Sequence, residues 1–228
     1  MKKIGILGGM SYESTIKYYD LILQKYYDRY QDYNYPEILI YSLNFQKVID
    51  YELGVEEGIY VEYLMTGINS LQKGGVDFIV MAANSPHAVY DELIQKSKVP
   101  ILSIVEVTAE KAQQENLREV LLLGIKYTMQ APFYKDYFAK LGMEVITPSD
   151  SEQDLVNRII FDELVIGEFT KKSKQMLLQI INNYNVDGVI LGCTELPLIL
   201  QQNDSDLTLL DTVEIHVEAA LEYCLDQS

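Results

Sequence analysis

The strongest constraint in this sequence is an internal repeat that predicts two similar halves. Residues 76–84 run parallel to residues 186–194 at an offset of 110 positions. A second pair, residues 5–8 and 121–124, lies in the same order at an offset of 116. Each segment is an apolar run that ends in small residues, which is typical of a strand followed by a turn into a helix. We therefore predict two lobes of like topology.

Eight short apolar runs, each bounded by turn residues, predict strands that are buried on both faces. They are residues 4–7, 38–43, 78–81, 101–103, 120–123, 145–147, 189–191 and 207–210. Longer helical patterns lie between them, and this alternation indicates an α/β fold with two pseudo-symmetric lobes, each a mainly parallel sheet flanked by helices. We place residues 1–103 and 207–228 in the first lobe and residues 104–206 in the second.

Charge and composition exclude several classes of function. With 18 basic and 34 acidic residues the chain has a formal net charge of −16. A nucleic-acid or anionic-membrane partner needs a basic face, so neither is expected. No apolar run approaches the length of a membrane span. Two cysteines without a secretory signal favour a cytoplasmic location.

Candidate functional residues lie in four strand-end turns, because ligands bind beyond the carboxyl ends of parallel strands. These turns are residues 8–11, 83–87, 126–128 and 192–195. Cys193 is the most reactive residue type among them, and it follows an apolar strand and a glycine. We expect it at the start of a helix, whose dipole would lower the pKa of the thiol. The other interpretation is a small buried hydrophobe. Two features favour a functional role for Cys193. They are the Thr194-Glu195 pair that follows it and the equivalent turn in the other lobe. Cys224, on an apolar helical face, is predicted to be core.

The motifs of metal and nucleotide sites are not found in the sequence. His87 and His216 are its two histidines, and neither has the spacing of a zinc site, so no metal is expected. His87 lies in a strand-end turn, where it would orient a ligand or cap a loop. For both histidines a structural role is favoured over a catalytic one. Gly8-Gly9 does not match a dinucleotide fingerprint; it predicts a close approach of the backbone to a ligand or to the other lobe.

Taken together, these segments resemble the aspartate/glutamate racemase family over nearly the whole chain. The opening residues 4–15, IGILGGMSYEST, are similar to the opening of that family, and residues 191–195, LGCTE, are similar to its second catalytic motif. Residues 127–129, 159–164 and 211–216 resemble a bacterial subgroup of it.

The resemblance implies a homodimer and a reaction without pyridoxal phosphate, metal or nucleotide. In this family two thiols act on opposite faces of the substrate α-carbon, in a cleft between the lobes. The implied substrate is a small anionic amino acid or dicarboxylate, and local amides and hydroxyls would attract it despite the negative net charge. The residues it implies for the site are Cys193 as acid/base, Asn84, Ser85, Thr128, Thr194 and Glu195 as substrate-binding groups, Gly9 and Met10 as the floor, and Tyr127 as a cover.

One position departs from the family pattern. The first-lobe motif is normally Cys-Asn-Thr, and here it reads Ala83-Asn84-Ser85. Alanine cannot transfer a proton, so a symmetric two-thiol racemisation cannot be carried over. A lysine that some aspartate racemases carry before the second motif is also not evident, with Val165 near that place, which leaves the substrate side chain open.

Three functions therefore remain. The first is an amino-acid racemase or epimerase that is slow or works in one direction. The second is a decarboxylase that acts on malonates with a single thiol, since arylmalonate decarboxylases resemble this superfamily and also keep only the second-lobe cysteine. The third is a non-catalytic protein that binds small acids.

Overall fold

A computed structural model describes residues 1–54 and 57–226 of the chain. These residues form two compact units, one of Met1–Ile104 with Val213–Ser228 and the other of Val105–Thr212. All eight predicted strand runs contain a strand in the described part of the chain.

The first unit holds a four-stranded parallel sheet with the order β2-β1-β3-β4. Its strands are β1 (Ile4–Gly8), β2 (Ile38–Ser42), β3 (Phe78–Met81) and β4 (Ile101–Leu102). Its helices are α1 (Tyr12–Tyr30), α2 (Phe45–Gly54), α3 (Glu57–Lys73), α4 (Tyr90–Lys96) and α11 (Thr212–Leu225), with a 3₁₀ helix at Ser85–Val89.

The second unit repeats this arrangement with a parallel sheet of order β6-β5-β7-β8. Its strands are β5 (Glu119–Leu123), β6 (Glu144–Ile146), β7 (Gly188–Leu191) and β8 (Thr208–Asp211). Its helices are α5 (Ile104–Gln114), α6 (Lys126–Gln130), α7 (Phe133–Lys140), α8 (Asp150–Asp162), α9 (Lys171–Asn182) and α10 (Leu196–Ile199), with 3₁₀ helices at Leu164–Ile166 and Gln202–Asp204. The predicted fold class, two lobes of like topology with parallel sheets, is confirmed.

The repeated Val-Asp dipeptide has a structural cause that is the same in both units. The Asp77 carboxylate accepts a hydrogen bond from the backbone N–H of Lys3 at 2.6 Å. The equivalent Asp187 carboxylate accepts from the N–H groups of Arg118 and Glu119 at 2.8 and 3.0 Å. Each aspartate thus satisfies backbone donors where the neighbouring strand begins, which sets the alignment of the two central strands.

One predicted boundary is wrong. We assigned the last strand, residues 207–210, to the first lobe, but β8 pairs with β7 in parallel register, Leu191 opposite Asp211. The strand therefore completes the second sheet. The following helix α11 packs on the first unit as predicted, because Val213, Val217, Ala220 and Cys224 belong to the apolar cluster that covers one face of its sheet.

Apolar side chains cover both faces of each sheet. In the first unit Tyr60, Leu64, Ile68 and Leu71 form an apolar stripe on α3 and are buried in the cluster on the opposite face from α11. In the second unit β5 and β7 are buried along residues 120–123 and 188–191. None of the described helices is both long enough and apolar enough to cross a bilayer.

Candidate active site

The carboxyl ends of the central strands bring the predicted turns together within each unit. In the first sheet Leu7 lies opposite Met81, so the turn after β1 and the turn after β3 are neighbours. In the second sheet Leu123 lies opposite Leu191, so the turns after β5 and β7 are neighbours. Parallel strands require this, because their carboxyl ends share one edge of the sheet.

The turn after β7 contains a thiol and a carboxylate in direct contact. The Cys193 Sγ–H donates a hydrogen bond to Glu195 Oε2 at 2.9 Å. The Thr194 hydroxyl donates to the same oxygen at 2.7 Å. Glu195 is buried, with 3% of its surface exposed, whereas Cys193 retains partial exposure. Cys193 therefore lies in a strand-end turn against a buried carboxyl group and is more exposed than that partner.

The predicted ionisation of Cys193 is also wrong. Helix α10 begins at Leu196 and has four residues, so Cys193 precedes it and the helix is too short for a strong dipole. Burial raises the pKa of the Cys193 thiol well above its usual range, and the Glu195 carboxylate raises it further. The backbone N–H groups of Glu195 and Thr194 face the sulfur and lower the pKa by less. These surroundings favour the neutral Cys193 thiol over the thiolate.

Thr128 presents a hydroxyl that is buried without a hydrogen-bond partner. Its side chain is 1% exposed, and Thr128 Oγ1 is one of two such buried side-chain atoms among the described residues. The methyl carbon of Thr128 lies 3.7 Å from the place that a Cβ on Gly192 would occupy, next to the Cys193 turn. Leaving a buried hydroxyl unpaired is costly, so Thr128 Oγ1 is a candidate for contact with a ligand.

The turn after β3 presents no thiol, and its polar groups are held by neighbours. Ala83, Asn84 and Ser85 are all buried. The Asn84 carbonyl accepts from the His87 backbone N–H at 3.0 Å and lies 3.2 Å from His87 Nδ1. His87 Nε2 in turn accepts from the Ile104 N–H at 3.2 Å. His87 therefore braces the Asn84 carbonyl as a neutral imidazole, and burial lowers its pKa to about 4.

His216 is placed for packing inside the first unit. Its Nδ1 lies 2.7 Å from the Tyr18 hydroxyl and its Nε2 lies 3.2 Å from the Leu102 carbonyl. This pattern requires the neutral ring to donate from Nε2 and to accept at Nδ1. Burial, with a smaller contribution from the neighbouring His87, lowers the pKa of His216 to about 3. Both ring nitrogens are thus occupied by the protein.

Gly9 allows a close backbone approach, but the approach is within its own unit. It has a φ of +79°, and a Cβ on it would lie 2.3 Å from the Leu43 backbone. Its N–H already donates to Thr15 Oγ1 at 2.8 Å. Met10 follows as a buried residue. In the second unit Tyr127 is the second residue of the short helix α6, next to Thr128, and part of its surface is exposed.

Glu52 is a polar contact of this site that sequence reasoning missed. It lies in α2, far from any strand-end motif, and its carboxyl group is hydrogen bonded to the Ser85 hydroxyl. The Tyr60 hydroxyl donates to Glu52 Oε1 at 2.9 Å. Burial raises the pKa of Glu52, and the two hydroxyl groups oppose that shift. No spacing in the sequence links residue 52 to residue 85, so only the folded chain reveals the pair.

No group of three or more His, Cys, Asp or Glu side chains is arranged to hold a metal ion within residues 1–54 and 57–226. The acidic and histidine side chains near the two turns are paired with hydroxyls, backbone groups or the thiol, as described above.

Comparison with known proteins identifies the family to which these features belong. The sequence model of the Asp/Glu/hydantoin racemase family matches residues 7–220. A relative from Bacillus subtilis, the broad specificity amino-acid racemase RacX, is 31% identical over 92% of both chains. The chain thus belongs to the Asp/Glu/hydantoin racemase family.

Solved structures agree with this assignment. An aspartate racemase homologue from Pyrococcus horikoshii is 38% identical with a TM-score of 0.87, covering 99% of this chain and 100% of the other. A structure described as an Asp/Glu racemase homologue from Yersinia pestis is 34% identical with a TM-score of 0.91 over the same shares. The fold of this chain is therefore shared with solved relatives.

Proposed function

We propose that the protein is a cofactor-independent amino-acid racemase or epimerase that exchanges the α-proton of a small amino acid. The observation that carries the proposal is the hydrogen bond between Cys193 Sγ and the buried Glu195 carboxylate. A thiol held against an internal base is the arrangement needed for an acid/base that alternates between the thiol and the thiolate.

The proposed step uses this hydrogen bond to form the base. The proton of Cys193 moves to Glu195, and the backbone N–H groups of Thr194 and Glu195 stabilise the thiolate. The thiolate then removes the α-proton of the substrate and becomes a thiol again. Burial disfavours a thiolate that forms by losing its proton to solvent. Transfer of the proton to Glu195 instead keeps the total charge of the pair unchanged, so no additional buried anion forms. Glu195 is thus assigned to the thiol and not to substrate binding.

Thr128 is our first choice for holding the substrate carboxylate. Its hydroxyl is unpartnered, whereas the Thr194 hydroxyl donates to Glu195 and Ser85 is bonded to Glu52. A hydroxyl that gains a charged acceptor on binding is expected to contribute about 1.5–3 kcal/mol to affinity. Asn84 remains a second candidate, and Tyr127, Gly9 and Met10 remain candidates for the surrounding wall.

The substrate class in this proposal is a small amino acid, with aspartate and glutamate as first candidates. The name of the Bacillus subtilis relative reports broad specificity for that protein, so neutral and basic amino acids belong in the same assay. The proposal also includes a homodimer, which light scattering of the purified chain tests directly.

The decisive experiment is α-deuterium exchange in heavy water for a panel of D- and L-amino acids, without added pyridoxal phosphate. We expect exchange with at least one of them and a loss of about 10³-fold or more in Cys193→Ala. Cys224→Ala is the matched control, because Cys224 is the buried cysteine of the α11 core, and it should exchange at the rate of the parent. Exchange that persists in Cys193→Ala, or that is missing for the whole panel, rules the proposal out.

One observation favours a second candidate function. Burial favours the neutral Cys193 thiol, and a neutral thiol is suited to donate a single proton to a carbanion formed by loss of CO₂. Such a malonate-type decarboxylase needs no group on the opposite face. Incubation with substituted malonates and measurement of CO₂ distinguishes the two functions, and no release from any malonate removes this candidate.

A further inference from the structure

The short helix α6, which carries Thr128, is capped by a side chain from α8. Ile125 is the N-cap residue of α6 and offers no side-chain hydrogen bond to the helix. The Asn157 Oδ1 atom, 31 positions after Lys126, instead accepts a hydrogen bond from the Lys126 backbone N–H at 2.8 Å. The first N–H groups of a helix lack partners within the helix, so Asn157 does for α6 what the N-cap side chain does in many helices.

A second contact joins the same two helices at the surface. The Lys126 ammonium group donates a hydrogen bond to Asp154 Oδ1 at 2.5 Å. The side chains of Lys126 and Asp154 are 39% and 56% exposed, so solvent screens this ion pair and we expect little stability from it. The contact with Asn157 is partly buried and holds the backbone of α6, so it is the stronger restraint of the two.

Helix α8 is suited to act as a rigid support, because its first turn is tied to the end of α9. The N–H of its N-cap residue Ser149 donates to the Tyr184 hydroxyl oxygen at 2.8 Å, and the Asn183 side-chain amide donates to Glu152 Oε1 at 2.9 Å. Ser149 and Glu152 also form a capping box. The position of Asn157 is thus supported by contacts outside α6.

The orientation of the Thr128 hydroxyl depends on where α6 begins. The helix has five residues, and a helix this short is not stable without contacts to the rest of the protein. Thr128 follows Lys126 by two positions, and its buried hydroxyl has no hydrogen-bond partner among the described residues. No hydrogen bond of its own holds that hydroxyl, so its direction follows from the backbone of α6.

We propose that Asn157 is a positioning residue that fixes the start of α6 and so aims the Thr128 hydroxyl at the substrate carboxylate. The inference rests on the proposed function, which gives Thr128 the role of binding that carboxylate. Asn157 acts through the backbone of α6 and does not touch the substrate. Its effect should therefore fall on substrate binding and not on the proton transfer at Cys193.

The test compares Asn157→Leu with the parent, using the amino acid that exchanges fastest in heavy water. Leucine is close to asparagine in volume but cannot accept the Lys126 N–H bond. We expect KM for α-deuterium exchange to rise about fivefold while kcat stays within about twofold of the parent. Asp154→Asn, which removes only the exposed ion pair, is the matched control and should keep KM within about twofold. An unchanged KM in Asn157→Leu, or a larger rise in Asp154→Asn, would overturn the inference.

Further variants guard against misfolding and against a purely structural effect. Asn157→Asp keeps an acceptor for the Lys126 N–H and should restore most of the lost affinity, while Asn157→Ala repeats the test if the leucine variant does not fold. In the Thr128→Val background, Asn157→Leu should raise KM by less than about twofold, because the group that it positions is gone. A KM that stays raised in Asn157→Asp, or that rises equally in both backgrounds, contradicts a role through Thr128.

The outcomes also separate this inference from the proposed function. If Thr128→Val leaves KM unchanged while exchange still depends on Cys193, the positioning role of Asn157 is overturned and the proposed racemase reaction stands. The same conclusion follows if residues 128 and 157 show no coupling in the double variant. Exchange that does not depend on Cys193 overturns both.

Discussion

The turns after β3 and β7 share one backbone and differ in their chemistry. In each, the residue after the strand donates a backbone hydrogen bond to the neighbouring central strand, Ala82 N–H to Leu7 O at 2.9 Å and Gly192 N–H to Leu123 O at 2.7 Å. The first turn then presents Ala83 and a braced Asn84, and the second presents Cys193 against Glu195. The fold requires small residues and these backbone bonds at both turns, but it does not require a thiol, so one turn could change its chemistry without a cost in packing.

The largest effect should come from removing the partner of the thiol in the second turn. Glu195→Gln removes the proton acceptor, and we expect exchange to fall about 100-fold. The same change removes the negative charge and the carboxylate acceptor that raise the pKa of Cys193, so alkylation by iodoacetamide at neutral pH should become several-fold faster. A thiol that becomes more reactive in a slower enzyme is the expected signature. If alkylation slows, Glu195 activates the thiol by another route.

The two units should also differ in acid. Both histidines of the chain lie in the first unit, and their folded pKa values of about 4 and about 3 are below the usual 6.5. The unfolded chain therefore binds protons that the folded chain does not. This stabilisation is complete above pH 6.5 and is lost as the pH falls, by about 3 kcal/mol for each histidine at pH 4.

Hydrogen exchange during acid titration measures this difference. We expect residues of the first unit to lose protection at a higher pH than residues 105–212. His87→Asn should flatten the dependence of unfolding free energy on pH between 6.5 and 4. Simultaneous loss of protection in both units, with a slope unchanged in His87→Asn, would contradict the prediction.

A paired substitution compares two threonines near Cys193. Thr128→Val removes an unpartnered buried hydroxyl, so the free protein should gain about 1 kcal/mol of stability while KM for the substrate rises about tenfold. Thr194→Val breaks a formed hydrogen bond to Glu195 and should instead destabilise the free protein. Thermal unfolding and steady-state kinetics measure the two effects. Loss of stability in Thr128→Val would show that its hydroxyl serves the protein.

The smallest effect should come from making the first turn more like the second. Ala83→Cys restores the thiol of the family pattern, and we expect racemisation to rise several-fold, because the new thiol lacks a counterpart of Glu195. The rate of racemisation of aspartate and glutamate is the measurement. No increase at all would mean that position 83 does not face the reacting carbon.

Much of the fold could be predicted because its signals are local in the chain. Eight apolar runs matched eight strands, and the repeat at Asp77 and Asp187 matched equivalent backbone contacts in the two units. The place of β8 was wrong because a short buried strand carries no mark of its partner. Only the register of β8 against β7 assigns it to the second sheet.

The sequence by itself determined the two-fold repeat and the resemblance to the family, since each is a matter of residue type and order. Tertiary structure alone decided the protonation of Cys193, the free hydroxyl of Thr128 and the contact between Glu52 and Ser85. The physical reason is that a pKa depends on desolvation and on charges within a few ångströms. Those neighbours include residues 33 positions apart in the chain, as between Glu52 and Ser85.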